Sequence, residues 1–429
     1  MKMKKNKIRV ISALVSAIML ASSASAFAKF DAYNDSDGFT LGHYEAEVNQ
    51  EQRADTEKLY EQRPKNERQF ENLSRGLVAV PGENGTLVSW RFLGTDSNSL
   101  TYNLYCSGEK LNDKPITTTN FFHTGASTNA EYTLKEVENG EETGVEYTTT
   151  AWDKNYIGFK VTEREGYNID DGAVADLDGD GKYEILLRRV PSMDVNTRTS
   201  YPVIEAYKTD GTHMWTIDIG PNEINEVDIN FLAYDMDGDG KAEVIMRSFE
   251  GTTDGKGNTT GDTNGDGITD YSKSESNLAI FKDRQYIVST PEFLSIYDGE
   301  TGEETDRTDL KPSKEPLSDW SYRYSDTGRL TKRASHYLFG LAYLDGVTPS
   351  VVMVRGAWDN VRAAAWHIED GKFKEDWVHN TENKDDVNSI WGACNHNLVT
   401  VDVDFDGKDE ILSGPMAIDH DGSEMYAVK

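Results

Sequence analysis

Asp171-Gly-Ala-Val-Ala-Asp-Leu-Asp-Gly-Asp-Gly-Lys-Tyr-Glu-Ile-Leu-Leu-Arg188 carries the pattern on which the fold turns. Within it, Asp176, Asp178, Asp180 and Glu184 put carboxylates at positions 1, 3, 5 and 9 of a short loop, with Gly181 at position 6. The spacing returns at Asp235, Asp237, Asp239 and Glu243, at Asp262, Asn264, Asp266 and Asp270, and at Asp402, Asp404, Asp406 and Glu410. A hard cation such as Ca2+ takes about six to eight oxygens, and glycine permits the sharp turn that gathers them. An EF-hand needs Glu at position 12, where this chain has Leu187, Met246, Lys273 and Ser413. Three of the loops instead run straight into apolar, strand-like segments: Glu184-Ile-Leu-Leu, Glu243-Val-Ile-Met and Glu410-Ile-Leu-Ser. The predicted role of Ca2+, at several mostly structural sites, is to staple a loop to a β-strand.

The loops also measure out a repeat. Asp176 and Asp235 lie 59 residues apart, and the 167 residues from Asp235 to Asp402 approach three such units. Leu341-Ala-Tyr-Leu-Asp-Gly346 followed by Val351-Val-Met-Val-Arg355 supplies the intervening copy, stripped of metal-binding residues. Asp178, Asp237 and Asp345 each precede an arginine (Arg188, Arg247, Arg355) by ten residues. Ile204–Gly211, Phe293–Gly299 and Ala365–Gly371 each form a strand ending in an Asp-Gly turn, read as the close of each unit. Strand-rich repeats of this length predict propeller blades, each a small antiparallel sheet. The Asp262 loop is out of period and reads as an insertion between strands. Upstream, residues 68–155 hold short β-forming runs divided by Pro81-Gly82, Asn84-Gly85 and Asn139-Gly140, which predict a fibronectin-like β-sandwich module. Residues 29–67 are polar and read as a linker or loosely docked arm, with a helix over Glu45–Gln62.

Residues 1–28 read as a signal peptide. Lys2, Lys4, Lys5, Lys7 and Arg9 precede the apolar Ile11–Leu20, and Ala26-Phe-Ala28 supplies a small-x-small cleavage pattern. The chain is thus expected to be secreted, without membrane insertion after cleavage. Its formal net charge of −31, made more negative by losing that basic segment, argues against nucleic acid and anionic lipid as partners. Cys106 and Cys394 are the only cysteines, and either one disulfide or two thiols suits them.

The module Arg75-Gly-Leu-Val-Ala-Val80, Val88-Ser-Trp-Arg-Phe-Leu-Gly-Thr95 and Tyr102-Asn-Leu-Tyr105 resembles the N-terminal part of the rhamnogalacturonan lyases of polysaccharide lyase family 11. So do Asp171–Gly181, Gly251-Thr-Thr-Asp-Gly-Lys-Gly257, Pro291-Glu-Phe-Leu294, Leu341–Gly346 and Asn395-His-Asn-Leu398, in order over roughly residues 70–425. The resemblance implies an all-β fold: an eight-bladed, calcium-rich β-propeller behind a β-sandwich. It also implies cleavage of the rhamnogalacturonan I backbone of pectin by β-elimination at galacturonate. About four blade units are counted in the propeller segment, residues 156–429, so the chain reads as C-terminally truncated relative to the family. The catalytic base is left unassigned, being expected largely in the family's further blades. A non-catalytic, calcium-dependent binding propeller of the integrin-α kind is the alternative.

Among individual residues, His396 and Asn395 are the predicted substrate contacts, because they lead into a blade's first strand. Asp171 is assigned either to substrate or to an extension of the first metal site. His336, His367 and His379 carry no such context. The recurrent Arg188, Arg247 and Arg355 are expected to pack against carboxylates, and Trp90, Trp152, Trp320 and Trp391 mostly to fill cores.

Overall fold

The computed structural model describes residues 27–34, 40–47, 58–59, 62–64, 66–125, 129–192, 201–223, 230–282, 284–320, 325–356, 360–381 and 389–427. The expected signal segment lies outside them, apart from Phe27 and Ala28, which open a strand. The chain is all-β, and its repeat is visible as four antiparallel four-stranded sheets. The first sheet comprises Tyr167–Ala175, Glu184–Pro191, Val203–Tyr207 and His213–Asp218. The second comprises Phe231–Tyr234, Glu243–Phe249, Glu292–Tyr297 and Glu304–Asp309. Tyr337–Ala342, Ser350–Arg355, Arg362–Glu369 and Lys372–Asn380 make the third, and Val399–Val401, Glu410–Ser413, Met416–Ile418 and Glu424–Ala427 the fourth.

Each sheet packs on the next through alternate side chains of its middle strands, since successive residues of a strand face opposite ways. Val244 and Met246 of the second sheet join Leu186, Ile204 and Trp215 of the first. Ile245, between them, turns the other way to meet Val351, Met353 and Trp366 of the third. Val352, Val354 and Ala363 in turn meet Ile411, Met416 and Ile418 of the fourth. The middle strands are therefore covered on both faces: Val203–Tyr207 and Ser350–Arg355 are buried throughout. The fourth strands, such as Glu304–Asp309, alternate half-buried and exposed at the rim. Burying each large apolar side chain contributes about 1.5–3 kcal/mol, so the inter-sheet clusters hold the stack together. First strands of successive sheets lie side by side, which sets all four loops between strands one and two at a common end.

Two readings of the repeat are refined. The strand with the Asp-Gly turn is the third of four in its sheet, with the turn leading to a rim strand. The expected intervening copy is the third sheet, and its metal-free turn is closed by Asp345, which accepts from the N–H groups of Val347 and Thr348 at 2.7 and 2.6 Å. The Asp262 loop does lie in an insertion, residues 250–291, between the second and third strands of the second sheet. That insertion also holds a hairpin, Leu278–Phe281 with Arg284–Ile287.

The N-terminal module pairs a three-stranded sheet (Val78–Gly82, Gly85–Ser89, Asn120–Thr124) with a four-stranded one (Glu109–Lys110, Thr101–Cys106, Glu131–Glu138, Glu141–Thr150). Val88, Trp90, Tyr102, Leu104 and Tyr132 fill the space between them. Trp90 and Trp320 are core residues, as expected. Cys106 and Cys394 are separate free thiols, and burial pushes the Cys394 thiol up to about 11. No helix among the described residues is long and apolar enough to cross a membrane.

The reading of residues 29–67 needs correction. Phe27–Asn34 and Thr40–Glu47 pair as a hairpin, so Glu45 to Glu47 are strand rather than helix, whereas Lys58, Leu59 and Gln62 are helical as expected. The end of the segment is not loose either, because Pro64 and Asn66 open a strap that is bonded to the loop end.

Candidate metal and substrate sites

In the first loop, Asp176 accepts from the N–H groups of Gly179 (2.9 Å) and Gly181 (2.8 Å), and Asp178 and Asp180 accept from amides two residues on. The ninth-position Glu184 folds back so that Oε2 accepts from Leu177 N at 2.9 Å. The second loop repeats this with Asp235, Asp237, Asp239 and Glu243, the last accepting from Met236 N at 2.9 Å. In the fourth sheet's loop Glu410 closes on Val403 N at 2.7 Å. Gly181, Gly240 and Gly407 take φ of 82°, 93° and 93°, a region that favours glycine.

Three carboxylate sets converge to within 4.8 Å: Asp176–Asp178–Asp180, Asp235–Asp237–Asp239 and Asp402–Asp404–Glu410. So many like charges in one place are unstable without a cation. Burial, backed by the neighbouring aspartates, pushes the Glu243 carboxyl up to about 8 and Glu410 up to about 7. Glu410 is fully buried, and its Oε1 has no hydrogen-bond partner. A donor set made of oxygens, with a buried oxygen left over, fits a hard divalent cation.

The Asp262 loop forms the same turn, with Asp262 accepting from Gly265 and Gly267 at 2.7 and 2.8 Å, but its other side chains are engaged elsewhere. Asn264 and Asp266 bond to the Tyr271 hydroxyl. Asp270 caps the turn Tyr271–Lys273 and pairs with Lys273 at 3.0 Å instead of closing on the loop. Expected as a fourth metal site, this loop differs from the others in having Asn264 at its third position and in turning Asp270 to Lys273.

The strap crosses the loop end in reverse order of the sheets. Asn66 Nδ2 donates to Gly407 O at 3.0 Å. Arg68 forks onto Asp409 at 2.9 and 3.1 Å and lies over the Tyr343 ring. Gln69 donates its backbone N–H to Val347 O and its side chain to Met236 O, at 2.9 and 3.2 Å. Glu71 follows, its carboxyl pushed up to about 6 by burial and by Asp235 and Asp176. Gly346 is required where the strap passes, since a Cβ there would meet Asn66 Nδ2 at 2.0 Å.

Cationic side chains gather at the opposite end. Arg188 pairs with Asp170 and lies 3.8 Å from Asp171. Asp171 is therefore an exposed strand residue facing away from the first loop, and the alternative that it extends that metal site is set aside. Arg247 pairs with Glu223 and, at 3.2 Å, with Glu292. Arg355, wholly buried, meets the other Glu292 oxygen at 2.9 Å. Lys314 Nζ lies 3.7 Å from the same carboxylate. Burial alone would raise the Glu292 carboxyl, but Arg355, Lys314 and Arg247 overrule it and hold it at about 2. Burial also pulls the Lys314 ammonium down. The recurrent arginines are thus packing groups tied to carboxylates, and Glu292 is the hub linking the second and third sheets.

Asn395 and His396 are exposed at this end, Asn395 Oδ1 accepting from His396 N at 2.9 Å. Asn397 Oδ1 accepts from Gly414 N at 3.1 Å, anchoring the triplet to the turn between the fourth sheet's second and third strands. The His336 ring meets the His396 ring edge-on at a centroid distance of 5.1 Å. His336 is the residue that sequence reasoning passed over. Its signal was positional, since it precedes a first strand as Asn395-His396 does. Glu292 was visible too, inside Pro291-Glu-Phe-Leu294.

These features define an all-β protein of stacked four-stranded sheets with carboxylate loops at one end and cationic and imidazole groups at the other. Residues 158–429 match the model of rhamnogalacturonan lyase family 11, C-terminal domain, and residues 68–152 that of the rhamnogalacturonan I lyases beta-sheet domain. The chain belongs to rhamnogalacturonan lyase family 11. It is 38% identical over 375 residues to the rhamnogalacturonan endolyase YesW of Bacillus subtilis (strain 168), covering 84% of this chain and 57% of the relative. To the exolyase YesX of the same strain it is 37% identical over 377 residues, covering 84% and 58%. The crystal structure of exotype YesX superimposes with a TM-score of 0.72 at 36% identity, over 85% of this chain and 59% of that one. The chain therefore spans under three fifths of the length of the curated relatives it matches.

Proposed function

We propose that this chain acts on the rhamnogalacturonan I backbone of pectin as a secreted, calcium-dependent lyase, cleaving by β-elimination at galacturonate. The observation that carries the reading is the family match across both regions, joined to an end that exposes Asn395 and His396 beside the half-buried His336 and the Arg188–Asp170 pair. In this reaction a base removes the C5 proton of the uronate while the C4–oxygen bond breaks, and the adjacent carboxylate must have its charge offset. Calcium, where bound, supplies charge that lets a strongly acidic protein hold a polyanion. Asp176, Asp178, Asp180 and Glu184, with their counterparts at 235–243, are the residues that would hold it. His396 and Asn395 bind and orient the sugar by hydrogen bonds, and the backbone bonds around Ser413 and Gly414 fix their placement.

The sheets are read as consecutive blades of the family's propeller, supported by the side-by-side first strands and the cluster between each pair of sheets. The second reading, a calcium-dependent propeller that binds carbohydrate or protein without catalysis, is favoured by the engagement of Arg247 and Arg355 with internal carboxylates. Incubation of the full chain with rhamnogalacturonan I and Ca2+ separates them. A steady rise in ultraviolet absorbance from unsaturated uronate, abolished by chelator, supports the lyase. Saturable binding with no rise supports the binding protein.

A further inference from the structure

We propose that the acidic loop of the fourth sheet differs from its sister loops in taking a borderline transition-metal ion such as Zn2+, with His420 as nitrogen ligand beside Asp406 and Glu410. The donor atoms of these three residues lie within 4.8 Å of one another. A tetrahedral metal with ligand bonds of about 2 Å spans donors about 3.3 Å apart, so the set must draw in by up to about 1.5 Å around the ion. Glu410 is fully buried, and its Oε1 has no hydrogen-bond partner. Oε2 is already taken by Val403 N, which leaves Oε1 as the oxygen available to a metal.

The turn after each third strand explains why only this loop has a nitrogen. In the first sheet that turn delivers Lys208 to Asp178, so a protein ammonium sits on the carboxylates. In the second it delivers Glu300, which is occupied by Lys241 at 2.5 Å. In the fourth it delivers an imidazole. The backbone of His420 is held from both sides, with Trp377 Nε1 donating to its carbonyl at 2.9 Å and its N–H reaching Asp419 Oδ1 at 2.7 Å. The ring is thus positioned by its own turn, and a ligand on a rigid element keeps its geometry.

Three charged groups face the ring. Nδ1 lies 3.7 Å from Asp406 Oδ2 and 2.7 Å from Asp419 Oδ1, and Lys408 Nζ lies 2.9 Å from Nε2. Ligation through Nδ1 puts the ring proton on Nε2, which turns Lys408 away and leaves Asp419 as a further oxygen donor. Imidazole is a poor ligand for the hard Ca2+ and a good one for Zn2+, so the site discriminates by donor chemistry.

The test uses the full chain, stripped with chelator, loaded with Zn2+, dialysed against excess Ca2+, and assayed for metal by atomic emission. About one equivalent of Zn2+ per chain is expected to survive the dialysis, and Co2+ in its place to give a visible ligand-field band. His420→Gln is expected to lower retention about tenfold or more and to abolish the band. His396→Gln, which removes an exposed imidazole at the opposite end, is expected to leave both unchanged. Failure of the unmutated chain to keep Zn2+ against Ca2+ overturns the proposal whatever the variants do. Retention that survives His420→Gln, or that is lost with His396→Gln, overturns it as well.

Discussion

The two ends of the stacked sheets solve opposite electrostatic problems. At the loop end, carboxylates outnumber the protein cations that reach them, such as Lys208 at Asp178 and Lys182 at Asp180, and Glu243 is pushed up to about 8. At the other end, Arg247, Arg355 and Lys314 converge on Glu292 and hold it at about 2. The first end must import its counter-charge, whereas the second carries its own. That contrast gives the loop end, where the strap closes over it, a structural role, and the proposed function puts substrate at the exposed Asn395–Asn397 end.

The largest effect should come from stripping divalent cations. A cation at about 1,000 times its dissociation constant stabilises by about 4 kcal/mol per site, so chelation is expected to lower the melting temperature steeply, which calorimetry with and without Ca2+ checks. Next is Glu292→Gln, which strands Arg355 and Lys314 in a dry interface. It should cost about 3–5 kcal/mol in chemical denaturation while leaving the calcium dependence intact. Third, Asp235→Ala and Asp262→Ala should part company. The first is expected to remove one tightly held Ca2+ in a calorimetric titration, and the second to leave the count unchanged. Arg68→Ala, which unhooks the strap from Asp409, should cost about 1–3 kcal/mol. Limited proteolysis after Arg63 should speed up with it.

The subtlest effect is in pH. A carboxyl such as Glu243, raised in the folded state, binds more protons folded than unfolded between its ordinary value and about 8. The metal-free chain should therefore gain stability as pH falls from about 8 toward 5. Glu292 has the opposite sign, its contribution being complete above the ordinary carboxylate range and lost as pH falls toward about 2. With Ca2+ present the first trend should reverse, because protons then compete with the metal. Thermal melts across pH, with and without Ca2+, read both.

Much of this was legible in the residues. Carboxylate spacing found three convergent sets because that turn is local, closed by hydrogen bonds spanning no more than seven residues. The same local rule did not foresee that Tyr271 and Lys273, from the turn that follows, bond to side chains of the Asp262 loop. The third sheet was found through its Asp345–Arg355 spacing although its metal ligands are gone. The strap was missed because Asn66 and Arg68 find partners 341 residues away, a distance at which composition says nothing. His336 was passed over for the same reason, its neighbour His396 lying in the next sheet.

Hydrogen–deuterium exchange of the full chain, with Ca2+ alone and then with rhamnogalacturonan I oligosaccharide, addresses the division of labour directly. Ca2+ should protect residues 176–184 and 235–243 together with the strap at 66–74, and leave 262–270 unchanged. Oligosaccharide should then add protection at 168–171 and 395–397 and none at the loops. Protection by oligosaccharide at the loop end, or by Ca2+ only at 395–397, would contradict the assignment of structure to one end and substrate to the other.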